Sequence, residues 1–119
     1  MDEITVTERT LIAEVRDGEI EEYDISPETL GLSRHAPDGL LGGDAHLNAH
    51  ILRGVLSGEQ RGAACDVILA NAGAAIYVSS KAKSLEEGVR LAEESVDTGA
   101  ARRALEDFVR TTRHLSGQA

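Results

Sequence analysis

Few residues of this chain have chemistry to offer, and they are scattered. Asp2 and Glu3 set two carboxylates side by side just ahead of an alternating run. Hard oxygen donors of this kind suit Mg²⁺, which takes one or two carboxylates and shares the rest of its shell with water and substrate phosphates. An adjacent acid pair is also what a solvated surface looks like, so only its setting can give it meaning. His46 and His50 are spaced i, i+4 and share a helix face one turn after Asp44. That spacing binds zinc in metalloproteases, but position 47 is Leu and position 49 is Ala, so the catalytic Glu of that motif is missing and the simpler reading is two solvated histidines.

Gly42-Gly43-Asp44 at a helix start could cradle an anion on backbone N–H groups. Asp44 itself, however, sets a carboxylate where the anion would sit, which favours a structural cap. Cys65 stands alone and can form neither an internal disulfide nor a cysteine zinc site. It is either a small apolar filler or a thiol near a helix start, where its pKa could fall. Asn71 lies inside an apolar run and, once buried, must hydrogen-bond to a neighbouring backbone.

The elements that must position these groups follow from the pattern. Residues 1–26 read as strands: Ile4 and Val6 alternate with threonines, and the runs Thr10 to Arg16 and Glu19 to Ile25 flank Asp17-Gly18, the pair a type I′ hairpin turn selects. A two-residue turn there pairs Arg16 with Glu19, Val15 with Ile20 and Ile12 with Tyr23, and it also sets Glu14 opposite Glu21, against the register. Residues 27–43 form a turn and loop, opened by Ser26 as cap with Pro27 at the first helical position. Residues 44–115 read as helices. The first is capped by Asp44, and the second, Val67 to Val78, has no polar stripe and so should be covered on all sides. Its Ala70, Ala72, Gly73, Ala74 and Ala75 would let a neighbouring helix approach closely. Ser84-Leu-Glu-Glu87 matches a capping box, Gly99 closes that helix, and the last runs from about 101 to 114 with Ala101, Ala104, Leu105, Phe108 and Val109 on one face. A β-meander or hairpin followed by about four helices is an α+β arrangement in one domain, residues 1–119.

With 119 residues the chain has room for one modest core, filled by aliphatic and Ala side chains because only Phe108, Tyr23 and Tyr77 are aromatic. The net charge of -9, with ten Arg and only Lys81 and Lys83 as lysines, argues against nucleic-acid binding through phosphates. No stretch is long and apolar enough for a bilayer, and no charged segment followed by an apolar run marks a secretory leader, so a cytoplasmic protein is expected. The acidic, Lys-poor balance suits a salty cytoplasm as well as an ordinary acidic protein.

Taken together in order and spacing, these residues resemble the carboxy-terminal third of the anthranilate phosphoribosyltransferases. The likeness rests on Asp2-Glu3 before a strand, the hairpin Glu14-Val15-Arg16-Asp17-Gly18-Glu19-Ile20, and Pro27 to Leu32 ending in Leu-Gly-Leu. It continues through Gly-Gly-Asp44 to Asn48-Ala49, Leu69-Ala-Asn71-Ala with Tyr77-Val78, and Lys81-Ala82 leading into Ser84-Leu-Glu-Glu-Gly88. The related pyrimidine-nucleoside phosphorylases share the overall fold, but the Asp-Glu pair and the Asn-Ala helix are closer to the anthranilate enzymes.

The resemblance implies that the chain forms part of an α/β domain that moves the phosphoribosyl group of phosphoribosyl pyrophosphate to anthranilate in tryptophan biosynthesis. Asp2 and Glu3 then correspond to the acidic pair that holds Mg²⁺ against the diphosphate. The family's Gly-Thr-Gly-Gly-Asp loop, its Lys-His-Gly segment, its anthranilate-gripping arginine and the amino-terminal helices of its homodimer have no counterpart in these residues. The expectation is a truncated or separately encoded carboxy-terminal piece, with Met1 in place of an internal residue, inactive without the missing amino-terminal part or a partner chain. From a different class, a non-catalytic helical module could use the hairpin's free edge to extend a partner's sheet.

Overall fold

The computed structural model describes residues 3–118. Strands β1 (Thr10–Arg16) and β2 (Glu19–Ile25) form an antiparallel hairpin, and 3-10 turns at Glu28–Leu30 and Pro37–Leu40 lead to helices α1 (Ala45–Leu56), α2 (Ala63–Val78), α3 (Leu85–Asp97) and α4 (Ala100–Leu115). The α+β arrangement expected from the pattern is what folds. Asp17 and Gly18 both adopt positive φ, 52° and 82°, as a type I′ turn requires. The resulting register joins Arg16 to Glu19, Val15 to Ile20 and Ile12 to Tyr23, and it does place Glu14 opposite Glu21.

Two expectations change. The alternation at Ile4 and Val6 does not make a strand, because threonine hydroxyls take over the backbone bonding: Thr5 N–H donates to Thr10 Oγ1 at 3.2 Å and Thr7 N–H to Thr5 Oγ1 at 3.2 Å. Short hydroxyl side chains of this kind compete with ladder formation. Ile4 and Val6 are nonetheless buried, so the segment is a core-lining loop. Nor is α2 covered on all sides. Cys65, Leu69, Ala70 and Gly73 face the core, while Val78 is exposed.

The core gathers Val6, Ile25, Leu30, Val55, Leu69, Val89, Ala92 and Val96 around α2 and α3. These two helices cross where neither has a side chain. A Cβ on Gly73 would lie 2.5 Å from the backbone nitrogen of Val89, and one on Gly88 would overlap the carbonyl oxygen of Gly73. The small residues of α2 thus do what their volume suggested. The helix ends are fixed as read: Leu47 N–H donates to Asp44 Oδ1 at 2.9 Å, Glu87 N–H donates to Ser84 Oγ at 3.1 Å, and Gly99 stops α3 in the left-handed conformation. In the second cap the Glu87 carboxylate accepts from Lys83 N–H at 2.7 Å, one residue earlier than a capping box places it.

Gly88→Ala should therefore force α3 away from α2, costing about 1–3 kcal/mol and several degrees of Tm. A thermal melt unchanged by this substitution would contradict the close crossing.

Candidate functional site

Glu3 is the first described residue and is exposed; Asp2 lies outside the described residues. Glu3 enters no ion pair among the described residues, and it is open to solvent. Directly behind it, Ile4 is tied to the middle of α2. Ile4 N–H donates to Asn71 Oδ1 at 3.1 Å, and Asn71 Nδ2 donates to Ile4 O and to Val67 O, each at 2.9 Å. The half-buried asparagine has thus found its neighbouring backbone.

Ile4 also lines a cleft of about 720 Å³ between the hairpin and the α2–α3 pair. Its polar wall is built around Glu14. Tyr77 Oη donates to Glu14 Oε1 at 2.7 Å, Tyr23 Oη to Oε2 at 2.9 Å, and Arg16 Nη2 to Oε1 at 2.7 Å. Arg16 Nη2 also donates to the Tyr77 hydroxyl, and its guanidinium lies 5.8 Å from the centre of that ring. The hydrogen bond from Tyr77, then those from Arg16 and Tyr23, hold the Glu14 carboxyl below its ordinary pKa. Burial, reinforced by the bond to Glu14, pushes Tyr23 up to about 12, and the bond to Glu14 raises Tyr77 as well. This explains why Glu14 tolerates Glu21 across the hairpin: its carboxylate turns toward two phenols and a guanidinium. Sequence reasoning missed the cluster, since its members come from β1, β2 and α2.

The remaining candidates resolve simply. His46 and His50 are exposed, and the described residues contain no group of three or more His, Cys, Asp or Glu side chains able to hold a metal ion. Cys65 is buried, as a small apolar filler would be, and that burial raises its thiol pKa rather than letting it fall. At Gly42-Gly43-Asp44 the carboxylate caps α1, and Asn48 closes on Gly43 with bonds of 2.9 Å to both its N–H and its carbonyl, a structural cap. His35, unassigned from sequence, meets Asp66 at 2.7 Å while its backbone N–H donates to Val6 O at 2.8 Å, pinning the loop before α1 to α2 and to the amino-terminal segment. No helix among the described residues is long and apolar enough to cross a membrane.

Comparison with known proteins gives this geometry a context. The family model described as "Glycosyl transferase family, a/b domain" matches residues 1–102. Anthranilate phosphoribosyltransferase of Rubrobacter xylanophilus is 72% identical over 118 residues, covering 99% of this chain and 34% of that protein. The Brevibacillus brevis enzyme is 49% identical over 117 residues, covering 98% and 33%. Among solved structures, anthranilate phosphoribosyltransferase from Thermus thermophilus superimposes with a TM-score of 0.84 at 37% identity, over 95% of this chain and 33% of that one. The Saccharomyces cerevisiae enzyme in complex with PRPP and Mg gives 0.82 at 28%, over 92% and 32%. The chain spans about a third of the length of these relatives.

The tyrosine–carboxylate cluster sets a pH response. Tyr23 favours its neutral form in the fold, so its contribution is whole below pH ~10 and is lost as pH rises through about 12. Glu14 is depressed, so its contribution holds above the ordinary carboxylate range and is lost as pH falls below it. Phenolate absorbance should show both tyrosines ionising later than free tyrosine, and Glu14→Gln should bring that transition down. A transition unmoved by Glu14→Gln would contradict the cluster.

Proposed function

The chain belongs to the glycosyl transferase family, a/b domain, and from that membership we propose that it is the cation-holding, carboxy-terminal part of an anthranilate phosphoribosyltransferase. The observation that carries the reading is the 72% identity to such an enzyme across nearly the whole chain. The reaction is transfer of the phosphoribosyl group of phosphoribosyl pyrophosphate to the amine of anthranilate. Asp2 and Glu3 would hold Mg²⁺, which when bound neutralises charge growing on the departing diphosphate. The donor chemistry fits: Glu3 offers an exposed hard-oxygen ligand, and Mg²⁺ at phosphate sites needs only one or two carboxylates from the protein.

The chain's own residues present these ligands and wall the adjoining cleft. Ile4 is fixed on α2, Glu14 orients Tyr23, Tyr77 and Arg16, and Lys83 adds a cationic lining. Nothing in the 119 residues matches the family's glycine-rich phosphate loop or its anthranilate-gripping arginine, so we assign those tasks to the other two-thirds of the enzyme, supplied by the same or a partner polypeptide. The surface supports this division. Leu11, Val15 and Ile20 stand 68–71% exposed on the hairpin, and Phe108 and Leu115 lie open on α4. Apolar residues gathered in this way mark surfaces that another polypeptide covers. Assembly as a homodimer and a cytoplasmic setting complete the proposal.

The same hairpin carries the second reading, a non-catalytic module that docks through it, since a two-stranded sheet is marginal unless something packs on it. The two separate by activity. Mixed with a polypeptide carrying the glycine-rich remainder of the family fold, the chain should restore Mg²⁺-dependent formation of phosphoribosyl anthranilate, and alone it should form none. Glu3→Gln should lower kcat/KM of the mixture on the order of 10²-fold, as loss of one charge-stabilising group does. Full turnover by the isolated chain, or a mixture indifferent to Glu3→Gln, would overturn the proposal.

A further inference from the structure

The Asn71 amide does more than satisfy itself inside a helix. One of its two N–H hydrogens goes to Val67 O, one turn earlier on α2. Its other donor and its acceptor both go to a single residue 67 positions away, Ile4, whose N–H and carbonyl are gripped together. With all three bonds made, the amide has one allowed orientation, because exchanging its oxygen and nitrogen would set a donor against Ile4 N–H and an acceptor against Ile4 O.

We propose that Asn71 is a positioning residue for the Glu3 carboxylate, its amide fixing the Ile4 backbone that follows Glu3 in the chain. The inference rests on the reading of Asp2 and Glu3 as cation ligands. Its physical step is the planarity of the peptide bond: Ile4 N–H belongs to the unit that carries the Glu3 carbonyl, so holding that N–H places the Glu3 Cα in a defined plane. The frame of reference is a close-packed part of the fold. Asn71 lies two residues before Gly73, where α2 meets α3 without an intervening side chain. Ile4 itself is buried, and Thr5 N–H just beyond it is held by Thr10. Glu3 is thus the first residue outside a clamped segment, exposed on a rigid base. A ligand so presented loses less conformational freedom when a cation arrives, which is how supporting residues tune metal sites without touching the metal.

The test uses the ¹⁵N-labelled chain with Mn²⁺ as a paramagnetic stand-in for Mg²⁺, reading amide broadening residue by residue. Glu21 and Glu22, an exposed adjacent acid pair on β2, are the internal reference for non-specific attraction. In the unsubstituted chain the Glu3 and Ile4 amides should broaden at lower Mn²⁺ than those of Glu21 and Glu22. Asn71→Leu should raise the Mn²⁺ needed at Glu3 about tenfold, toward the reference pair, without shifting the reference or the amides of the α2–α3 crossing. Asn71→Ser, with less bulk, serves if the Leu variant melts early. If a folded variant keeps the original Mn²⁺ response at Glu3, the positioning role is wrong and the cation reading stands. If the unsubstituted chain shows no preference for Glu3 over Glu21 and Glu22, the cation reading fails and takes this inference with it.

Discussion

The fold depends on a contact made possible by two absent side chains. Gly73 on α2 and Gly88 on α3 bring the helix backbones so close that a methyl group on either one meets main-chain atoms of the other. Close-packed interiors accommodate such an intrusion only by moving a whole element. The two helices that meet here carry half of the buried core cluster. Val89, Ala92 and Val96 on α3 and Leu69 and Ala70 on α2 enclose the core on either side of it.

From that crossing α2 reaches out along its length. Near its start, Asp66 receives His35 and fixes the loop that delivers α1. At its middle, Asn71 holds Ile4. At its end, Tyr77 binds the carboxylate of Glu14 and draws the hairpin against the helix. The three attachments are polar, and none of the described residues leaves a buried side-chain polar atom without a partner. The long cleft beside Ile4 lies between two of these attachments, so its walls are set by bonds rather than by apolar packing alone.

Local chemistry was legible in the sequence wherever a rule acts within a few residues. The Asp17-Gly18 turn fixed the hairpin register, Asp44 and Ser84 marked their helix starts, and Gly99 marked a helix end. Asn71 was readable as a residue in need of a backbone partner, though which backbone was not. The alternation at Ile4 and Val6 misled because Thr5 between them is buried as well, and threonine hydroxyls hold the segment as a loop. The Glu14–Tyr23–Tyr77 cluster and the His35–Asp66 bond join residues 9 to 63 positions apart, beyond the reach of any periodicity. The apolar composition of α2 suggested complete enclosure, yet Val78 and the apolar hairpin residues stay open, as befits a chain that spans a third of its relatives' length.

On the proposed reading, that openness and the exposed Glu3 belong to a scaffold that offers cation ligands beside a cleft completed by other residues. The most direct measurement is an anomalous-scattering map of the chain crystallised with its complementing polypeptide, Mn²⁺ and pyrophosphate. The account predicts a Mn²⁺ peak roughly 2–2.5 Å from carboxylate oxygens of Asp2 and Glu3 and in contact with the pyrophosphate. A pyrophosphate-bound Mn²⁺ held elsewhere, with Asp2 and Glu3 facing solvent, would contradict it.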